Sequence, residues 1–152
     1  MDEIDRNIAN LIQSNGKASS AEIAHAVGVS VSTANERVRR LFSSGVVKEW
    51  RAVLDSKRLG ANLCALVLLD MDYDGEEETT KILKSFTEIQ EIHHISGAHS
   101  YMLKIRVADT DALQKFLRDK VKPLRSITAT ESIIVLETLK ETSEILISNK
   151  SS

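Results

Sequence analysis

The sequence has little of several residue types that mark particular protein classes. It contains one cysteine, Cys64, one proline and six glycines among 152 residues, and aromatic residues make up 4%. A single cysteine excludes an internal disulfide and a multi-cysteine metal site. The scarcity of proline and of biased tracts leaves little room for a flexible linker. So few aromatic side chains also argue against a surface on which single-stranded bases stack.

Long apolar runs are missing as well. The longest, Leu63 to Leu69, is far shorter than the ~20 residues that span a bilayer. Residues 2–7 are acidic and polar, whereas a secretory signal begins with basic charge followed by an apolar run. Hydrophobic residues at 42% and charged residues at 28% are typical of a globular domain. We therefore expect a cytoplasmic protein in a reducing compartment, without a membrane partner.

Charge is nearly balanced over the whole chain but not along it. The formal net charge is -2. Residues 1–60 hold 9 basic and 7 acidic side chains, and residues 61–152 hold 11 and 15. Within residues 29–60 the count is seven basic to three acidic, a local net charge of +4. Such a cluster indicates a small nucleic-acid-binding element, although ordinary solvated surfaces also carry basic stretches.

Apolar spacing predicts three helices in the first sixty residues. The first helix ends near Gly16. The second is capped by Ser19 or Ser20 and ends at Gly28, a residue that tolerates positive φ. The third is capped by Ser30. Their predicted inner faces consist of Ile4, Ile8, Leu11 and Ile12, then Ile23, Ala24 and Val27, then Ala34, Val38, Leu41 and Phe42. Helix, glycine-containing turn and helix in this order predict a helix-turn-helix, whose second helix enters the major groove of DNA.

The polar side of the third helix predicts the DNA contacts. Arg37 has the fork that pairs with guanine, a contact worth ~1–3 kcal/mol of discrimination, and Arg39 and Arg40 suit phosphates. An ordinary three-helix bundle with an arginine-rich solvent face remains the alternative. The full predicted DNA-binding set is Ser30, Ser32, Thr33, Glu36, Arg37, Arg39, Arg40, Lys48 and Arg51.

Residues 46–54 are too β-branched and too alternating for a fourth helix. They predict a hairpin, or wing, whose Lys48 and Arg51 reach backbone phosphate. Trp50 in this stretch is interpreted as packing between domains rather than as stacking on a base.

The second part of the chain predicts a strand-helix-strand-strand-helix-strand order, the ferredoxin-like unit of an α+β protein. The predicted strands are 63–69, 89–96, 101–108 and 127–139, and the helices follow Glu76-Glu77-Glu78 and the capping residue Asp109 or Thr110. We expect a DNA-binding domain at 1–60, an effector-binding and dimerisation domain at 61–140, and a C-terminal tail at 141–152. Because the first strand is apolar on both faces, we expect one face to meet a second subunit.

An enzyme is not indicated. No nucleophile elbow, P-loop or glycine-rich dinucleotide fingerprint occurs, and Cys64 lies among apolar residues. His93, His94 and His99 suggest a metal site at first, but adjacent residues on a strand point to opposite faces. We therefore predict no catalytic residue, no metal and no cofactor.

The two halves together resemble the Lrp/AsnC (feast/famine) family of transcription regulators over residues 2–139. The matching residues are Asp2-Glu3-Ile4-Asp5-Arg6, Gly16-Lys17, Ala24 to Gly28, Val29-Ser30, Arg37-Val38-Arg39-Arg40-Leu41, Gly45-Val46-Val47-Lys48, Leu54-Asp55, Leu59-Gly60, Ser96-Gly97, Tyr101-Met102-Leu103-Lys104 and Thr130-Glu131-Ser132. The resemblance implies a winged helix-turn-helix, a hinge strand, and a C-terminal domain that binds effectors and assembles into homodimers and often into octamers of four dimers.

The resemblance also implies an effector site between subunits, formed here by Gly97, Ala98, His99, Ser100, Tyr101, Thr130 and Ser132. The family pattern usually has an aspartate at Ser100 and an aromatic residue at His99. Because Ser100 supplies no negative charge for an ammonium group, we expect a different effector or a weaker or absent response. The expected function is sequence-specific regulation of transcription on double-stranded DNA. The alternatives are a less specific DNA-organising protein and a ligand-sensing protein that acts through protein contacts.

Overall fold

The computed structural model describes residues 1–147, and its contacts divide the chain into two units. The first unit consists of residues 1–53 together with the C-terminal segment from Lys140, and the second is Leu54–Leu139. The division falls before Leu54, whereas the sequence places it after residue 60. The predicted tail, 141–152, contributes residues up to Ile147 to the first unit, and residues 148–152 lie outside the described residues.

The first unit is built on three helices, α1 (Glu3–Ser14), α2 (Ser20–Val27) and α3 (Val31–Ser43). Asp2, Ser19 and Ser30 cap them, each accepting a hydrogen bond from the backbone N–H three residues later. Gly28 ends α2 at φ 70°, a left-handed conformation that glycine adopts without strain. The three predicted helices, the Ser30 cap and the Gly28 turn are confirmed. The core between the helices contains Ile8, Ile12, Ile23, Ala34 and Leu41.

Residues 46–54 form no strand, so the predicted hairpin is wrong. Nine residues without an internal turn signal are too few for two paired strands, and an isolated strand has no partner for its backbone groups. The segment is held at its start, where the Val47 N–H donates to the Leu41 carbonyl at 3.0 Å. Trp50 packs on Phe42, with ring centroids 5.6 Å apart, so its contact lies within the first unit.

The second unit is a four-stranded antiparallel sheet with helices on one face. Its elements are β1 (Leu63–Met71), α4 (Glu76–Ser85), β2 (Ile89–His94), β3 (Tyr101–Val107), α5 (Thr110–Phe116), which continues as a π-helical turn (Leu117–Val121), and β4 (Ile127–Ile134). The strand order β2-β3-β1-β4 confirms the ferredoxin-like α+β prediction. Strands β2 and β4 end earlier than predicted, at His94 and Ile134.

The two faces of the sheet differ in how far this chain covers them. On the helix face, Val67, Leu69, Leu83, Leu103 and Ile105 are fully buried, and burial alternates along β3 as the sequence predicts. The opposite face, which we call the outer face, presents the neighbouring apolar side chains of Leu66, Leu68, Met102 and Ile133. None of these four is buried, whereas Cys64 on the same face is, so the chain alone covers the outer side of β1 only in part.

None of the helices within residues 1–147 is long and apolar enough to cross a membrane.

Candidate nucleic-acid interface and effector site

Hydroxyl groups cluster at the turn that joins α2 to α3. The Val29 N–H donates to the Ala24 carbonyl at 3.0 Å, which closes the turn. The Ser30 Oγ lies 2.9 Å from the Ser32 Oγ and 2.8 Å from the Thr33 Oγ1, and it accepts from the Thr33 N–H at 3.1 Å. Because a helix N-terminus attracts anions and hydroxyls donate to phosphate oxygens, this end of α3 is suited to DNA backbone.

One side of α3 is open to solvent. Ser32, Glu36 and Arg39 are exposed, and their i, i+4 and i+7 spacing puts them on one face of the helix. The Arg39 guanidinium has no hydrogen bond or ion pair among the described residues. This outward face therefore offers one cation, one carboxylate and one hydroxyl to a groove.

Arg37, which the sequence places on the polar side of the third helix, does not project from that outward face. Its Nη1 donates to Asp2 Oδ2 at 2.5 Å and to Asp5 Oδ1 at 2.9 Å. At about 100° per residue, Arg37 lies only about 60° from Ala34 and about 40° from Leu41 around the axis, and both of those are buried. The side chain thus starts at the edge of the inner face and turns towards α1.

Arg40 joins the same cluster. Its Nη2 donates to both oxygens of Asp5, at 2.9 and 2.8 Å, while 57% of the side chain remains exposed. Burial by itself raises the pKa of the Asp5 carboxyl, but hydrogen bonds from Arg37, from the Asp2 backbone and from Arg40 hold that pKa below its ordinary value. Asp5 is therefore ionised at neutral pH, and two arginines of α3 are bound to α1.

The remaining basic residues predicted to touch DNA lie beyond α3. Lys48 is exposed, and Arg51 donates to Glu49 Oε1 at 2.8 Å. Both follow the helix on the irregular segment that replaces the predicted wing. All nine residues of the predicted DNA-binding set therefore belong to the first unit, seven of them on α3 or its cap.

The predicted effector loop, 97–101, connects β2 to β3 and is centred on His99. The His99 Nδ1 lies 3.0 Å from Asp70 Oδ2 and its Nε2 lies 3.1 Å from Glu131 Oε2, so the ring bridges β1 and β4. The hydrogen bond to Asp70 raises the pKa of His99 above its ordinary value; partial burial opposes this shift and the bond to Glu131 supports it. A protonated imidazole therefore satisfies both carboxylates.

The neighbours of His99 are anchored by backbone and side-chain bonds. The Ser100 N–H donates to Asp70 Oδ1 at 3.1 Å. The Tyr101 hydroxyl donates to Glu76 Oε1 at 2.5 Å, which raises the pKa of Tyr101, and His94 stacks on its ring. Gly97 adopts φ 132°, and Gly97 and Ala98 are exposed.

Thr130 and Ser132 are placed differently from the loop. They pair with Leu69 and Val67 of β1, on the face of β4 opposite Glu131, because successive side chains of a strand alternate. Glu131 rather than its two neighbours contacts His99. Tyr101 also lies on that other face, since it pairs with Leu69 as Thr130 does. The structure therefore brings Gly97, Ala98, His99 and Ser100 together on one loop and leaves Tyr101, Thr130 and Ser132 on the helix face of the sheet.

Four acidic residues at these sites are missing from the sequence-based sets: Asp2, Asp5, Asp70 and Glu131. The spacing of Asp2 and Asp5 carries a readable signal, because a polar cap followed three residues later by an acidic side chain marks a capping box. Their arginine partners lie more than thirty residues away, and no local pattern reveals that contact. Asp70 is likewise 29 residues from His99.

Comparison with known proteins places both units in one family. Residues 1–41 match the model of the AsnC-type helix-turn-helix domain, and residues 64–145 match that of the Lrp/AsnC ligand binding domain. The HTH-type transcriptional regulator FL11 of Pyrococcus horikoshii is 35% identical over 145 residues, which cover 95% of each chain. The leucine-responsive regulatory protein of Escherichia coli is 33% identical over 153 residues, covering 99% of this chain and 93% of that one.

Solved structures agree with the sequence relatives. AsnC of Escherichia coli superimposes with a TM-score of 0.87 at 26% identity, covering 95% of this chain and 97% of that one. A transcriptional regulator of Neisseria meningitidis, solved as a complex with L-Met, superimposes with a TM-score of 0.91 at 22% identity over 96% of each chain, which shows a shared fold. The family models cover most of the chain and the relatives match it nearly end to end. This chain therefore belongs to the Lrp/AsnC family and is a transcriptional regulator of that type.

Proposed function

We propose that the chain reads double-stranded DNA through the outward face of α3. Ser32, Glu36 and Arg39 face base edges, while Ser30 and Thr33 hold a phosphate at the start of the helix. The observation that carries the proposal is that the exposed side chains of α3 form one continuous face with an unpaired arginine beside a hydroxyl cluster. Arginine is the residue that most often contacts guanine in the major groove.

The other basic residues take supporting parts in this proposal. Lys48 and Arg51 contact backbone phosphates, whereas Arg40 is bound to Asp5 of α1. Phosphate contacts fix position on the duplex without reading sequence. Arg37 positions α3 against α1 instead of pairing with guanine, because both acceptors of its Nη1 lie within the protein.

The protein acts as a homodimer, and the outer face of the sheet is its proposed contact surface. Leu66, Leu68, Met102 and Ile133 form a strip of apolar side chains without cover in this chain. Two small units gain burial by association, and paired recognition helices read half-sites about one helical turn apart. Assembly of four such dimers into an octamer is compatible with this surface. A regulator of bacterial or archaeal DNA acts in the cytoplasm.

The loop at 97–101 is the proposed effector surface, together with Asp70 and Glu131. One relative is named leucine-responsive, and one structural neighbour was solved with L-Met. In this chain the carboxylates of Asp70 and Glu131 already bind the imidazole of His99, so an amino acid must displace that side chain. We therefore propose a different effector or a weak response, and tight binding of leucine or methionine in isothermal titration would contradict this.

A mobility-shift experiment tests the DNA interface. The probes are the DNA upstream of the chain's own gene and a scrambled duplex of equal length. A site-specific regulator should prefer a cognate site by ~10³-fold or more. Arg39→Ala should weaken cognate binding on the order of 10-fold or more, since a base contact is worth ~1–3 kcal/mol. Arg58→Ala, an equally exposed arginine in the second unit, is the matched control and should bind like the wild type.

The outcomes separate the three functions. Equal affinity for both duplexes supports a DNA-organising protein, and absence of DNA binding supports a protein that acts through protein contacts. Unchanged cognate binding by Arg39→Ala would remove that residue from the interface.

A further inference from the structure

The N-terminus of α1 and the middle of α3 share an ionic cluster, built around one buried carboxylate, that the reading of bases does not require. We call Asp2, Asp5, Arg37 and Arg40 the acidic clamp. Asp2 and Asp5 form the capping box of α1, in which the Asp5 N–H donates to Asp2 Oδ1 at 2.8 Å and the Asp2 N–H donates to Asp5 Oδ2 at 3.3 Å. The same two carboxylates accept all four hydrogen bonds from the arginines.

Asp5 is the centre of the clamp. It is 3% exposed, and a buried carboxylate is costly unless charged donors surround it. Both of its oxygens accept from Arg40, and Oδ1 also accepts from Arg37. A short polar side chain without a charge is enough to cap a helix. The negative charge of Asp5 is therefore needed chiefly for its contacts with Arg37 and Arg40.

The clamp changes which cations α3 can offer to DNA. Of the three arginines on this helix, Arg37 and Arg40 are bound to carboxylates, and only Arg39 on the outward face has no partner among the described residues. Non-specific affinity for DNA depends mainly on how many phosphates are neutralised by cations, with a salt slope of about 0.9 per phosphate. Withholding two arginines therefore weakens binding to every sequence alike and leaves base contacts unaffected.

We propose that Asp5, assisted by Asp2, limits the sequence-independent affinity of this chain for DNA by keeping Arg37 and Arg40 from the phosphates. Because phosphate contacts carry no sequence information, the clamp lowers the affinity for cognate and non-cognate duplexes by the same factor, and base contacts alone set the preference between them. Asp5 also orients α3 by fixing two of its side chains to α1. The inference rests on the proposed use of α3 as the DNA-reading helix.

The test is Asp5→Asn in the full chain, which removes the charge but keeps the shape and an acceptor oxygen. Fluorescence anisotropy measures binding to a scrambled duplex and to the gene's own upstream duplex at several salt concentrations. We expect affinity for both duplexes to rise on the order of 10-fold at low salt, the salt slope to steepen by about 1 to 2, and the ratio of the two affinities to stay the same. Glu3→Gln, which neutralises an exposed carboxylate in the same helical turn, is the matched control and should leave the slope unchanged.

A merely structural role predicts the opposite sign. If Asp5→Asn weakened binding to both duplexes, or changed the slope no more than Glu3→Gln, the proposal would be overturned. Should Asp5→Asn fail to fold by circular dichroism, Asp2→Asn decides, because asparagine caps helices well and Asp2 binds only Arg37. It should produce a slope change of about 1, and no change would refute the clamp.

DNA binding by the wild-type protein distinguishes a failure of this inference from a failure of the proposed function. Wild-type protein that bound neither duplex would contradict the use of α3. Binding of scrambled DNA by Asp5→Asn alone would then still support the clamp, and binding by neither protein would overturn both.

Discussion

His99 shows how one side chain sets the chemistry of the loop between β2 and β3. Its two ring nitrogens lie at hydrogen-bond distance from two carboxylates on different strands. Neutral imidazole has one N–H donor, whereas the protonated ring has two. Both contacts are therefore made as donated hydrogen bonds only when the ring is charged, and the loop at 97–101 is tied to the sheet through a proton.

This arrangement predicts a pH dependence. The pKa of His99 is raised, chiefly by the hydrogen bond to Asp70, so the stabilisation is fully present below the ordinary histidine pKa of about 6.5. It is lost as the pH rises through the higher folded-state value. An NMR titration of the His99 ring should give a midpoint above about 6.5, and Asp70→Asn should lower that midpoint.

The control for this titration is Asp74→Asn, which removes an exposed carboxylate from the loop after β1 and should leave the His99 midpoint in place. A wild-type midpoint at or below about 6.5, or no response to Asp70→Asn, would contradict the charged bridge.

Single residues were predictable from the sequence where their role is local. Ser30 and Gly28 follow from capping and turn rules, which act over three or four residues. Arg37 illustrates the limit: its position on α3 is readable, but its direction depends on carboxylates 32 and 35 residues earlier in the chain. The same limit hides Asp70 as the partner of His99.

Helices, strands and connecting segments were likewise predictable only where their signal is local in the sequence. Helices and the strands of the sheet were predictable because burial on one face imposes a period of 3.6 or 2 residues. The wing was not, because β-branched residues favour an extended chain without specifying a partner. The C-terminal segment was also missed. Gln13 Nε2 donates to the Ile145 carbonyl at 2.9 Å, Gln13 Oε1 accepts from the Ile145 N–H at 3.2 Å, and Ile147 packs on the helical core.

The C-terminal segment should contribute to the stability of the first unit. Ile147→Ala removes a half-buried side chain from the core of α1 to α3 and should lower the free energy of unfolding of that unit by about 1 to 2 kcal/mol. The neighbouring Leu146 is 98% exposed, so Leu146→Ala is the matched control and should cost less than about 0.5 kcal/mol.

Hydrogen exchange of the amides of α1 measures both variants against the wild type. Equal protection in Ile147→Ala and Leu146→Ala would show that the packed isoleucine adds nothing.

For the molecule as a whole, the proposed dimer surface and the uneven distribution of charge along the chain are related. Residues 29–60 carry a local net charge of +4, while residues 61–152, with 11 basic and 15 acidic side chains, carry a net charge of -4. The proposed dimer surface lies within that acidic part, on the outer face of the sheet. In the proposed function, assembly and DNA binding thus use different parts of the chain, which carry net charges of opposite sign.

The oligomeric state can be tested at the edge of the outer face. Ile133 is 45% exposed in the single chain, so Ile133→Asp should be tolerated by the fold. It should nevertheless abolish the dimer, because an unpaired carboxylate would become buried between subunits. Sedimentation equilibrium at micromolar concentration should show a dimer for the wild type and a monomer for Ile133→Asp.

Lys81→Glu reverses a charge on α4, on the helix face of the sheet, and should leave the dimer intact. A wild-type monomer, or an Ile133→Asp protein that remained dimeric, would show that the outer face is not the interface.

The contact between Gln13 and Ile145 joins residues that are 132 positions apart, and a ribosome makes them in order. Synthesis proceeds at about 5–20 residues per second, so Ile145 is added roughly 7 to 26 s after Gln13 of α1. During that time residues 54–139, which carry the proposed dimer surface, are synthesised. The DNA-binding unit therefore acquires its last packing contact only after the assembly unit has been synthesised. A nascent chain accordingly contains every residue of the surface for its partner before it contains every residue of the unit that reads DNA.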